Sequence, residues 1–211
     1  MWFHGGSTGD DAAAEDWRRR TRPENEVPGS VALDVVIGES EDAVVFISGA
    51  RAYTNGVEFH VEARVRTPPR RGQSHLWGIH GDGESSDRLL FGIEFADGRR
   101  CSTEPGYQGL LERHQPNVPS LMPDGGGGSS VSADVSMFLS PLPPPGPLLL
   151  VCAWPGRGVP ETVSETSADA ILEAASRARV LWPPPRSWEP EPPPAPDLPA
   201  GSWFAQGNVG D

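Results

Sequence analysis

The chain predicts an all-β fold: a β-sandwich or flattened barrel, mainly antiparallel, with one late α-helix and a Pro-rich C-terminal tail. Three features carry this. Apolar and polar residues alternate with period two between residues 43 and 66, the spacing of a strand with one buried face. Further short apolar runs are separated by Gly, Pro and Asn-Gly turn signals rather than by helical stretches. A single segment, around Ile171, places apolar residues at helical spacing. A length of 211 residues allows one such domain with tails.

Val31 to Ile37 reads as the first strand. The clearest pair follows, between Ala43 and Arg66, around Asn55-Gly56, the strongest short hairpin signal. A two-residue turn there pairs Thr54 with Val57. It sets Ala52 opposite Phe59, Ala50 opposite Val61 and Phe46 opposite Val65 on one apolar face. The other face then carries Tyr53 with Glu58, Arg51 with His60, Gly49 with Glu62 and Ile47 with Arg64. Those mixed polar pairs suit a solvated surface. One buried and one wet face is the pattern of an antiparallel sheet.

Leu76 to Ile79 reads as a short strand. Leu89, Phe91, Ile93 and Phe95 lie on one side of a strand that turns at Asp97-Gly98. The Gly125–Gly128 run reads as a flexible connector. Val135, Met137 and Leu139 alternate in the strand after it. The Pro-rich stretch from Pro141 to Pro147 reads as a stiff loop between antiparallel neighbours. Leu148 to Trp154 is apolar on both faces, as expected of a central strand. Thr166 and Ser167 can cap the helix, Asp169 favours its positive end, and Ile171, Leu172, Ala175 and Ala178 form its apolar stripe. Six or seven strands and one helix are the expected inventory.

Composition divides the chain into three. Residues 1–30 are polar and Gly-rich, and are expected to form a flexible arm. Residues 31–182 hold most of the aliphatic content, and are the expected domain. Residues 183–211 form the tail, with nine prolines between Pro183 and Pro199. Proline fixes φ and lacks a donor, so this tail is expected to be extended, with polyproline II character.

Charge and missing residue types exclude several functions. The formal net charge is −12, so the surface as a whole lacks the basic footprint of a nucleic-acid binder. All 17 basic residues are Arg, which removes P-loop, Schiff-base and protein-kinase chemistry, each of which needs a Lys. No apolar run is long enough to span a bilayer. The opening residues show neither the basic start nor the apolar run of an export signal, and the cytoplasm is the expected compartment. Cys101 and Cys152 are then expected as two reduced, buried thiols; no Cys-x-x-Cys pair suggests zinc or redox chemistry.

The segment Phe138-Leu139-Ser140-Pro141-Leu142-Pro143-Pro144-Pro145-Gly146-Pro147-Leu148, with Cys152-Ala153-Trp154-Pro155-Gly156-Arg157 and the Ala-rich helix behind it, resembles an uncharacterised group of actinobacterial β-rich proteins. The Arg, Pro, Gly and Ala bias fits a high-GC genome. The resemblance covers about residues 31–182. It implies a domain boundary and a source, and it supplies no functional residue.

Two places attract a functional reading. In the stretch from His75 to Asp87, His80 and Asp82 share a strand face, and with Glu84 they could ligate a divalent metal or, with Trp77, serve a carbohydrate-directed function. The plain alternative is a Gly-rich loop with solvated acids. The tail carries Trp188, Trp203 and Phe204 in a segment with no core of its own; such aromatics anchor protein partners. The basic cluster Trp17–Arg22 lies among acids and is expected to pair loosely with them. The expected function is therefore non-catalytic, through protein contacts or self-association, with no nucleic acid, no membrane and no cofactor.

Overall fold

The computed structural model describes residues 15, 17–68, 88–103 and 118–183. Among them, eleven strands form three antiparallel sheets. In chain order the strands are β1 (Glu26–Val27), β2 (Gly29–Glu39), β3 (Ala43–Ala52), β4 (Val57–Val65), β5 (Leu90–Glu94), β6 (Arg100–Ser102), β7 (Ser120–Gly128), β8 (Ser132–Ser140), β9 (Pro147–Trp154), β10 (Val159–Ser167) and β11 (Arg179–Val180). A short 3-10 turn spans Pro155–Arg157, and the late α-helix, α1, spans Ala168–Ser176. A five-stranded sheet runs β2-β3-β4-β8-β7, a four-stranded sheet β10-β9-β5-β6, and β1 pairs with β11 in a small ribbon. The sandwich expected from the alternation is the fold observed.

The alternation dictates what lies between the sheets. Val45, Ile47, Phe59, Val61, Val135, Met137 and Leu139 project inward from the five-stranded sheet; Phe91, Ile93, Leu148, Leu150, Cys152 and Trp154 meet them from the other. β9 is central, between β10 and β5, as its two apolar faces require. Along one side β2 packs against β10 and β9, where the Thr162 hydroxyl donates to the Ile37 carbonyl. α1 lies against β2 and β3 with Ala168, Ile171 and Ala174 buried. Its cap is the expected Ser167, whose Oγ accepts the Asp169 N–H at 3.1 Å. Gly29 is required beneath it, because a Cβ there would stand 2.0 Å from the Ala174 carbonyl oxygen.

The first hairpin departs from its expected register. Ala52 faces Val57, so the connection is the four-residue Tyr53–Gly56 loop, closed by a Tyr53 N–H to Gly56 C=O bond of 2.8 Å. The register shifts again between Ile47 and Ala50, where Gly49 takes φ +143°, a conformation L side chains rarely adopt. That bulge changes which side chains face inward. Ala43, Val45 and Ile47 are buried before it, and Ala50 and Ala52 after it. Phe46 is thereby turned to the outer face, with the Arg64 guanidinium 5.4 Å from its ring centre. Glu58, expected in solvent, is buried.

Two other expectations change. Gly125–Gly128 is no connector: it forms the end of edge strand β7, paired with β8 from Gly126 to Gly128. Pro141–Pro147 does not join neighbours in one sheet; it carries the chain from β8 in the five-stranded sheet to β9 in the other. The turn at Asp97-Gly98 stands as expected, with the Phe95 N–H donating to the Arg99 carbonyl at 2.8 Å. The strand expected at Leu76–Ile79 lies outside the described residues.

Cys101 and Cys152 are free and buried, as expected. They occupy β6 and β9, which flank β5, so about 10 Å separates their strands. A disulfide needs Cα atoms within about 7 Å. Burial pushes both thiols up to about 12.

Candidate functional site

Every site residue singled out in the sequence falls outside the described residues: His80, Asp82 and Glu84 of the loop, with His75 and Trp77, and Trp188, Trp203 and Phe204 of the tail. Among the described residues, no group of three or more His, Cys, Asp or Glu side chains is placed to hold a metal ion. No described helix is long and apolar enough to cross a membrane.

What the structure does place together is the root of the tail, the end of the first hairpin and the segment before β1. β11 follows α1 after two residues and pairs with β1, Glu26 facing Val180 and Val27 facing Arg179. The ribbon is short and solvent-facing. Val27 is 44% exposed, Val180 52%, Leu181 41% and Trp182 57%. Four apolar side chains of that size gathered on one small element are unusual, since scattered singles are the norm at a surface. The Leu181 N–H donates to the Asn25 carbonyl at 2.8 Å, and Asn25 Nδ2 donates back to the Trp182 carbonyl at 2.6 Å. The tail therefore departs from a fixed point, directly after an exposed Trp.

Residues 17–25 continue from the ribbon across the Tyr53–Gly56 loop. A helical turn closes with the Thr21 N–H donating to the Trp17 carbonyl at 3.0 Å. Its carbonyls need partners at its C-terminal end. Asn55 provides them: Nδ2 donates to the carbonyls of Arg18, Arg19 and Thr21 at 3.2, 3.1 and 2.9 Å. The Ser140 hydroxyl donates to Arg19 as well, at 2.7 Å. On the far side, the Glu26 carboxylate accepts the Thr54 N–H at 2.9 Å and the Thr54 hydroxyl at 2.5 Å.

Beneath this segment lies the buried carboxylate of Glu58, whose side chain is 4% exposed. A charge removed from water needs compensation. It has the Tyr53 hydroxyl at 3.5 Å, and Arg22 and Arg51 each at 3.9 Å. Arg22 also donates to Asp124 on β7. A hydrogen bond with Tyr53, together with Asp124 and Glu58, holds the Arg22 guanidinium above its ordinary pKa. Burial pushes the Tyr53 phenol up, against the pull of Arg22. Tyr53 stands edge-on to Phe138, ring centres 5.9 Å apart, in a second apolar patch on the outer face of the sheet. The basic cluster thus divides. Arg19 pairs locally with Glu15, whereas Arg22 reaches across the fold to Glu58 and Asp124.

Sequence reading named Arg22 only within the basic cluster, expected to pair with nearby acids, and missed Asn25, Asn55, the burial of Glu58 and the ribbon. One signal was present: Val180-Leu181-Trp182 is an apolar run placed just past a helix end, with no strand partner expected for it. The partners of Arg22 were not signalled, because they lie 36 and 102 positions away. No protein-family model, no curated protein and no solved structure matches this chain.

Proposed function

We propose that this chain is a non-catalytic β-sandwich that works through protein contacts, made at the β1–β11 ribbon and the tail that leaves it. The observation that carries this is the exposure of Val27, Val180, Leu181 and Trp182 on and just beyond one short element anchored to the domain. Aromatic and aliphatic side chains held on a rigid support lose little freedom on docking, which favours affinity. The tail adds Trp188, Trp203 and Phe204 in a Pro-rich segment, and the fixed φ of proline reduces the entropy that docking has to overcome. The buried thiols, pushed up to about 12, are poor nucleophiles, in keeping with a binding role.

The test is recovery of bound proteins by the full chain and by the Val180→Ser/Trp182→Ser chain, with the fold of both checked by circular dichroism. A partner retained by the first and lost by the second is the expected result. Identical partner sets, with sizing also unchanged, would remove the ribbon from the function.

A further inference from the structure

Three sets of contacts join end to end around the ribbon. Arg22 binds the segment to Glu58 of β4 and Asp124 of β7, and Asn55 binds its helical turn to the Tyr53–Gly56 loop. Glu26 binds the same loop from the other side, through both donors of Thr54. Asn25, between them, holds the chain at Leu181 and Trp182. These connections are hydrogen bonds and ion pairs. Trp17, the large apolar residue of the segment, is exposed. The sandwich core consists of other residues altogether. A segment with few buried apolar contacts opens at lower free energy than the core, and opens as a unit where its contacts are shared. Pro23 and Pro28 bracket Asn25 and Glu26, and limit how that stretch adjusts locally without moving as a whole.

We propose that residues 17–25 form a strap that opens as one unit, and that its opening releases the root of the tail. Arg22 is its latch. With the strap closed, Asn25 fixes the Trp182 carbonyl. With the strap open, both Asn25 bonds are lost and the ribbon loses its flank. The strap is then a conformational control on the surface around Trp182. It stands independently of what that surface binds, so failure to find a partner leaves the experiment below unaffected.

Amide hydrogen exchange on the full chain tests it by NMR. Three amides report on the three contact sets: Thr21, which donates to Trp17; Thr54, which donates to Glu26; and Leu181, which donates to Asn25. Expected is a common opening constant for all three, larger than that of Phe59 in β4. Arg22→Ala is expected to accelerate all three by the same factor, about tenfold for loss of a charge-assisted contact, with each still opening more readily than Phe59. Asn55→Ala should reproduce the pattern. The proposal is overturned if Leu181 keeps its rate while Thr21 accelerates, if none of the three responds, or if the three open no more readily than Phe59 in the wild-type chain.

Discussion

Replacing Ile47 by Ala should destabilise the protein more than replacing its larger neighbour Phe46 by Ala. Ile47 lies between the sheets with 1% of its surface exposed. Truncating a fully buried Ile costs about 2–5 kcal/mol, from lost transfer energy and the cavity left behind. At about 2–4 °C per kcal/mol for a domain of this size, a loss near 3 kcal/mol lowers Tm by about 6–12 °C. Phe46 is half-buried on the outer face, where it carries the Arg64 guanidinium. An exposed cation–π contact contributes about 0.5–1 kcal/mol. With the partial area added, Phe46→Ala should cost about 1–1.5 kcal/mol. Urea unfolding of the two variants, compared at equal m-value, measures both. A Phe46→Ala cost equal to or above that of Ile47→Ala would refute the Gly49 bulge as the device that sorts the two faces.

Other outcomes follow from single contacts. Ellman's reagent should titrate neither Cys101 nor Cys152 in native protein at pH 8, and both after denaturation; fast native labelling of either would contradict their burial. Ser167→Ala removes the α1 cap and should cost about 1 kcal/mol by thermal or urea unfolding, whereas Ser167→Asp should restore most of it. Asp42 sits at the end of the sandwich, where Thr67 hydrogen bonds and the nearby Arg157 hold its carboxyl below its ordinary 3.8. A carboxyl depressed on folding stabilises above its unfolded pKa, and that share is lost as pH falls through its folded value. Asp42→Asn should therefore be less stable than wild type at pH 6, with the gap closing below pH 3.8; a gap that persists or widens in acid would contradict the pairing.

The fold was legible because side-chain period reports burial directly. Val135, Met137 and Leu139, or Phe91, Ile93 and Phe95, could only be strands with one buried face. Ser167 and Asp169 marked a helix start by chemistry that acts within three residues. Register was less legible. Asn55-Gly56 announced a turn, yet Asn55 is committed to capping the 17–21 turn, and the loop is four residues long. Gly49 moved Ile47 inward and Phe46 outward, and nothing within the strand's alternation distinguishes a bulge glycine from an ordinary one. β10 was overlooked because Thr162 to Ser167 is polar; it forms one edge of its sheet, and its outward side needs no apolar residue. Gly125–Gly128 looked like a linker by composition, but β8 supplies the ladder that four glycines do not specify. The candidate site was largely illegible for a similar reason. Arg22, Glu58 and Asp124 meet only because β4, β8 and β7 lie side by side, and that order is a property of the folded sheet.

The affinity of a purified partner for the wild-type chain and for Val180→Ser/Trp182→Ser, by titration calorimetry, probes the ribbon most directly. Loss of two central apolar anchors should weaken binding by about 2 kcal/mol or more, roughly thirtyfold, with a smaller negative heat-capacity change. Equal affinity and equal heat-capacity change for the two chains would place the interface elsewhere.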